Sequence, residues 1–107
     1  MRTLMAQLAG DFDANLAAAA GEDPALLAEL RQAFAESFAH QLDLLKRARC
    51  DGNWRVAAGR LKTFGAGFHV RELVDLADEA LDGAPGDPRI IRKLGALYQR
   101  FVADRTA

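Results

Sequence analysis

The residues from Pro24 to Cys50 carry the pattern that most restricts how this chain can fold. Large apolar side chains recur there at spacings of three and four, which places them on one stripe of a helix. The stripe consists of Leu27, Leu30, Phe34, Phe38, Leu42 and Leu45. Asp23 can cap the free backbone N–H groups at the start, and Pro24 suits the first helical position. The pattern predicts a long amphipathic helix that ends near residues 50–52.

A shorter helix is predicted on either side of this long one. The first runs from about Arg2 to Ala19, although Gly10 and an alanine-rich end weaken it. Its apolar stripe contains Met5, Leu8, Phe12 and Leu16. On the other side, Asn53 can cap a helix that begins at Trp54. The apolar stripe of that helix is formed by Ala57, Leu61, Phe64 and Phe68.

The phase of the apolar pattern slips after Phe68. The next stripe consists of Val70, Leu73, Val74, Ala77 and Leu81. A straight helix cannot keep both stripes against one core, so we predict a bend or turn between Gly67 and Arg71. Gly65 and Gly67 weaken the helix at this point, or allow close packing with a neighbour.

Two further helices complete the pattern and indicate the fold. The fourth helix is expected to end at the loop 82–86, and Asp87 followed by Pro88 begins the fifth. The inward residues of the fifth helix are Ile90, Leu94, Leu97 and Phe101. Short links between amphipathic helices favour antiparallel neighbours. The sequence therefore predicts an all-α single domain over residues 1–107: an antiparallel four-helix bundle (21–104) with an additional N-terminal helix (1–20).

Composition narrows the class of partner. Fourteen basic and fifteen acidic residues give a net charge of −1, whereas nucleic-acid binders usually have a basic excess, so no nucleic-acid partner is expected. No apolar run approaches the ~20 residues of a membrane helix, so no membrane association is expected either. The single cysteine, Cys50, cannot form an internal disulfide, which favours a cytoplasmic protein. No histidine or cysteine spacing is typical of a metal site, and we expect no metal and no cofactor.

The third helix carries a recognisable motif. Its residues read Ala58-Gly59-Arg60-Leu61-Lys62-Thr63, followed by Phe64-Gly65-Ala66-Gly67-Phe68. Upstream stand Gly21-Glu22-Asp23-Pro24-Ala25-Leu26-Leu27 with Phe34, then Asp51-Gly52-Asn53-Trp54, and downstream stand Leu73, Leu76 and Leu81. In order and spacing these pieces resemble the histidine phosphotransfer (HPt) domain over residues 21–102. The family's motif is approximately Ala-His-x-Leu-Lys-Gly, followed by small residues, an apolar residue and Gly.

The sequence departs from this family at the residue that carries its chemistry. Gly59 occupies the position of the phosphoacceptor histidine, while Lys62 matches the family's lysine and Thr63 replaces the motif's last glycine. The segment from Trp54 to this position is a few residues shorter than usual, and an ungapped alignment would put Lys62 in the histidine position instead. Glycine has no nucleophile and a protonated lysine is a poor one. The resemblance therefore implies a degenerate HPt domain that is not itself an enzyme.

Helical geometry places the motif on an outward face. At about 100° per residue, Gly59 lies opposite Leu61 and the core stripe. This face has small residues at its centre and cationic residues beside them, and we predict that it binds a partner. The predicted contact residues are Arg55, Gly59, Arg60, Lys62, Thr63 and Ala66. The resemblance implies that the partner is a response-regulator receiver domain or a sensor kinase of a phosphorelay, which this protein would regulate.

Two alternative interpretations remain open. In the first, the protein is an active phosphotransferase whose phosphoacceptor is a displaced histidine, and His69 is the candidate because it follows the third helix. His40 lies opposite the stripe of the second helix and is expected to be solvated. In the second alternative, the chain is a structural or oligomeric helical bundle with no connection to phosphorelays.

Overall fold

The structure of the chain, a computed structural model, describes residues 12 and 14–106, with side chains up to Val102. Every element in this part is a helix and it contains no strand, which confirms the all-α prediction for these residues. The helices are α1 (residues 12 and 14–20), α2 (Pro24–Arg47), α3 (Asp51–Gly67), α4 (Arg71–Asp82) and α5 (Pro88–Thr106). Most of the predicted first helix, with Met5 and Leu8, lies outside the described residues.

The start of α2 agrees with the prediction, but its end and the cap of α3 do not. The Asp23 carboxylate accepts hydrogen bonds from the N–H groups of Ala25 and Leu26 at 3.0 and 3.3 Å. However, α2 ends at Arg47 rather than near residues 50–52. The N-cap of α3 is Cys50, not Asn53, because Cys50 has the extended backbone (φ −128°, ψ 164°) that a cap requires. Asn53 is already helical, and its N–H donates to Cys50 Sγ at 3.5 Å.

The predicted turn between α3 and α4 is present. Val70 N–H donates to the Gly65 carbonyl at 2.8 Å, and His69 N–H donates to the Ala66 carbonyl at 3.2 Å. This pair of bonds is the Schellman arrangement that ends many helices, and it places His69 in the left-handed region with φ +60°. Glycine is the usual residue at this position because it has no Cβ to clash with the backbone. The two backbone hydrogen bonds therefore terminate α3, and His69 occupies the left-handed position where glycine is more usual.

The four longer helices surround one hydrophobic core. Helix α2 contacts α3 and α5, and α4 contacts the same two helices, so each long helix has two neighbours. The Trp54 side chain is fully buried, and its indole N–H donates to the Ala80 carbonyl at 2.7 Å, which joins α3 to α4. Helix α1 adds two buried side chains to the same core, Phe12 and Leu16. Helix α1 thus packs against the core formed by the other helices.

Helices α3 and α4 approach closely at a glycine. A Cβ added to Gly65 would lie 3.0 Å from Cγ of Leu73, so a larger residue would require Leu73 to shift by a few tenths of an ångström. Of the stripe predicted for α4, Val70, Leu73 and Ala77 are buried, while Val74 and Leu81 are only half-buried. Leu76 and Ala80 are buried as well. The buried face of α4 is wider than the predicted stripe and is rotated relative to it, because α4 packs against both α3 and α5.

Candidate docking surface on the third helix

The outward side of α3 has the composition that the sequence predicts. Leu61 and Ala58 are fully buried on its inner side, while Arg55, Arg60 and Lys62 are exposed. Thr63 and Ala66 are exposed as well, and Gly59 is half-buried. The burial pattern therefore leaves the predicted contact residues accessible, with the glycine slightly recessed among them.

Gly59 lies in a shallow, largely open depression on the side of α3 that faces α2. The groove is lined by Gln41, Arg55, Val56, Gly59, Arg60, Thr63 and Phe64. A Cβ built on Gly59 would meet no atom within 4 Å, so the space in front of this glycine is empty. A second depression continues along the same seam and shares Val56 and Arg60 with the first. It is otherwise lined by Leu44, Arg47, Ala48, Asn53 and Ala57. We call these two depressions together the α2–α3 groove.

The walls of the α2–α3 groove are partly apolar. Val56 is 55% exposed and contributes an apolar side chain to the lining. The ring of Phe64 stacks on that of Phe34, with centroids 5.0 Å apart. Val56 and Phe64 are not among the contact residues that the sequence predicts. Val56 could have been found, because it is an apolar residue outside the stripe of Ala57 and Leu61.

One polar atom beside the groove lacks a hydrogen-bond partner. The Oε1 atom of Gln41 is buried, and it accepts no hydrogen bond in the part of the chain that the structure describes. Leaving a buried acceptor unsatisfied costs about 1–3 kcal/mol. By contrast, the Thr63 hydroxyl donates to the Gly59 carbonyl at 3.1 Å and is satisfied within α3. Because the Gln41 oxygen is buried, it is not accessible to a molecule that binds at the surface.

The charged side chains around the groove are mainly basic. Arg55 Nε lies 3.4 Å from Asp51 Oδ2, and Arg47 Nε lies 3.0 Å from Asp43 Oδ2, each within a single helix. Arg60 is exposed and makes no ion pair with any described residue. The rim of the groove consequently has one positive charge that is not balanced locally.

Lys62 faces away from the groove. Its Nζ atom lies 2.8 Å from Oδ1 of Asp78 on α4. This hydrogen bond and the charge of Asp78 raise the pKa of Lys62, and the more distant Asp82 adds to the effect. The structure thus brings Arg55, Gly59, Arg60 and Thr63 together around the groove. It places Lys62 beside α4 instead.

Ala66 and the two histidines lie elsewhere. Ala66 borders a separate depression at the α3–α4 turn, together with His69, Arg71 and other residues. His69 is exposed in the turn rather than on α3, which ends at Gly67. His40 is exposed on α2, as expected. No group of three or more His, Cys, Asp or Glu side chains that could hold a metal ion occurs among the described residues.

Comparison with known proteins adds no assignment to this geometry. No family model, no curated protein and no solved structure matches the chain. None of the helices within residues 12 and 14–106 is long and apolar enough to cross a membrane.

Proposed function

We propose that this protein is an HPt-like signalling domain, an antiparallel four-helix bundle that binds a receiver domain or a sensor kinase without accepting a phosphoryl group. The observation that carries the proposal is the environment of Gly59. The residue at the histidine position of the resemblance lies in an open groove on the outward side of α3, with Arg55 and Arg60 beside it. A partner can approach this backbone closely, since no side chain stands in front of it.

The proposed mode of action is binding without chemistry. Gly59 offers no nucleophile, and the neighbouring residues Arg55, Arg60 and Thr63 do not include an imidazole. Arginine side chains complement an acidic partner surface, such as the carboxylates and phosphoryl group of a receiver domain. Such a domain would occupy the partner and so regulate a phosphorelay in the cytoplasm as an adaptor, sequestering factor or inhibitor.

The first experiment is incubation with a panel of phosphorylated receiver domains, following binding and label transfer together. We expect binding without transfer. Gly59→Trp should weaken that binding at least about tenfold by filling the groove, which corresponds to ~1.4 kcal/mol. Gly95→Trp is the matched control, since Gly95 lies in α5 and a Cβ there also meets no atom within 4 Å. Equal binding by both variants and the parent would refute the surface assignment.

The alternative in which His69 accepts the phosphoryl group is decided by the same experiment. Transfer of an acid-labile label, lost in His69→Gly, would establish it. Glycine is the suitable replacement because the backbone of His69 is left-handed. If no receiver domain or kinase binds, the result supports the interpretation of the chain as a structural or oligomeric helical bundle. Sedimentation would then measure whether the chain self-associates.

A further inference from the structure

We infer that α1 is an exchangeable helix: in a dimer of this chain, α1 of each copy packs on the core of the other copy. The partner is a second copy of the same chain, and the residues that it contributes to the core include Phe12 and Leu16. The monomer with its own α1 in place is the other member of the equilibrium. The inference is independent of the proposed function, because it concerns the contact of α1 with the core and not the surface around Gly59.

The contact of α1 with the core is a narrow stripe with one aromatic ring. Among the described residues of α1, the buried ones are Phe12, Leu16 and Ala20, each four residues from the next. The ring centroid of Phe12 lies 4.5 Å from that of Phe34 on α2 and 5.0 Å from that of Phe101 on α5. These contacts depend on the sequence of α1 and not on which copy supplies it. Helix α1 of a second copy therefore fits the same site.

The site that receives Phe12 is held together by rings from the other helices. These rings belong to α2, α5 and the end of α3, and they are Phe34, Phe38, Phe64, Phe68, Tyr98 and Phe101. The centroids of Phe64 and Phe68 each lie 5.0 Å from that of Phe34 without any contribution from α1. When α1 leaves, the apolar surface that Phe12 covered becomes exposed to water. Covering this surface again is favourable, and α1 of a second copy does so with the same contacts.

The link between α1 and α2 is strained in the monomer. Gly21 and Glu22 both have left-handed backbones, with φ +63° and +64°. This conformation is unfavourable for an L-residue such as Glu22. The N–H groups of Gly21 and Glu22 donate to the carbonyls of Ala18 and Ala17, both at 3.2 Å. Gly21 and Glu22 are exposed, so water can replace these bonds when the link opens. A short link under strain favours exchange of the element that it holds.

The residues that follow are already suited to an open link. Asp23 precedes Pro24 and has the extended backbone, φ −83° and ψ 113°, that is favoured before proline. If Gly21 and Glu22 become extended as well, the three residues between α1 and α2 span up to about 10 Å. Helix α1 then points away from its own bundle, while Asp23 still caps α2. Exchange therefore requires a change of backbone conformation at two residues only.

The test measures dimerisation and exchange in the full chain, under reducing conditions so that Cys50 cannot link two copies. Sedimentation equilibrium should show a dimer whose fraction rises with protein concentration. Isotope-labelled and unlabelled chains are then unfolded and refolded together, and nuclear Overhauser contacts between them are recorded at a concentration where the dimer is present. We expect contacts between the ring of Phe12 in one copy and that of Phe101 in the other. A dimer in which these rings meet only within one copy would overturn the inference.

Variants of the link test its strain. Gly21→Ala puts a Cβ on a left-handed residue, and each dimer opens two links, so the association constant should rise at least about tenfold. Glu22→Gly relieves the strain and should lower it by a similar factor. Gly86→Ala is the matched control, because Gly86 has φ +77° in the α4–α5 loop and a Cβ there also meets no atom within 4 Å. It should leave the association constant unchanged. A Gly21→Ala variant that stays monomeric, or an equal effect of Gly86→Ala, would contradict exchange of α1.

Discussion

Lys62 Nζ and Asp78 Oδ1 lie 2.8 Å apart and form an ion pair between α3 and α4. The proposed resemblance to HPt domains aligns this lysine with the lysine of the family's motif, and a role in partner binding is predicted for it. In this chain its ammonium group is engaged with a neighbouring helix. The pair therefore links α3 to α4. A partner that binds the Lys62 ammonium group has to compete with Asp78.

The Lys62–Asp78 pair should stabilise the fold at neutral pH and lose its effect in alkali. The pKa of Lys62 is raised in the folded state by its bond to Asp78. A raised folded pKa means that the contribution is fully present below the ordinary lysine pKa and disappears as pH rises through the folded value. A double-mutant cycle with Lys62→Met and Asp78→Asn should give a small favourable coupling at pH ~7, which falls as the pH rises through the raised pKa of Lys62. Coupling that stays constant as the pH rises through this pKa would contradict the prediction.

The same substitution should have opposite effects at two glycines of α3. Gly59→Ala fills open space and should stabilise the fold by up to about 1 kcal/mol, because alanine is the better helix former. Gly65→Ala should destabilise it by about 1–3 kcal/mol, because the new Cβ would lie 3.0 Å from Cγ of the fully buried Leu73. Urea denaturation measures both, and equal effects would show that the close approach of α3 and α4 is wrong.

The indole N–H of Trp54 should contribute to stability separately from the burial of the ring. It donates to the Ala80 carbonyl at 2.7 Å inside the core. Replacing Trp54 by its benzothienyl isostere keeps the shape and removes the donor. We expect a loss of about 0.5–1.5 kcal/mol in thermal or urea unfolding. The Trp54→Phe variant, which also leaves a cavity, should lose more stability. An isostere variant that is as stable as the parent would show that the hydrogen bond makes no contribution.

Cys50→Ser should stabilise the chain. The Cys50 thiol is an exposed N-cap that accepts a weak bond from Asn53 N–H at 3.5 Å. Serine is one of the preferred N-cap residues and its oxygen is a stronger acceptor, so we expect a gain of about 0.5–1 kcal/mol. Asn53→Ala provides the comparison, since Asn53 is an exposed helical residue whose side chain does not cap α3. If Asn53→Ala lowered the free energy of unfolding by more than about 0.5 kcal/mol, Asn53 rather than Cys50 would be the N-cap.

His69→Gly should stabilise the turn between α3 and α4. His69 has φ +60°, a conformation that costs an L-residue roughly 1 kcal/mol and glycine little. We expect a gain of up to about 1 kcal/mol, partly offset by the flexibility of glycine in the unfolded chain. His69→Ala, which keeps a Cβ in the same conformation, is the control and should not stabilise. Thermal unfolding of the two variants checks the difference.

The sequence was a good guide wherever a local pattern decides the outcome. Asp23 and Pro24 indicate the start of α2, and the change of apolar phase after Phe68 indicates the turn before α4. Capping and helical periodicity act over a few residues, so they are readable without tertiary structure. The N-cap of α3 was predicted wrongly because asparagine is a more common N-cap residue than cysteine. In the structure, the residue with extended backbone at the start of α3 is Cys50.

Other features were decided by how the helices meet. Sequence alone indicated the helices, their apolar faces and the absence of a histidine at the position of Gly59. It placed Lys62 and Gly59 on one face of α3, since periodicity describes directions around a single helix. The tertiary structure turned Lys62 towards Asp78 on α4 and opened the groove between α2 and α3 at Gly59. Such pairings and spaces arise between residues far apart in the chain, and their positions depend on how the packed helices fit together.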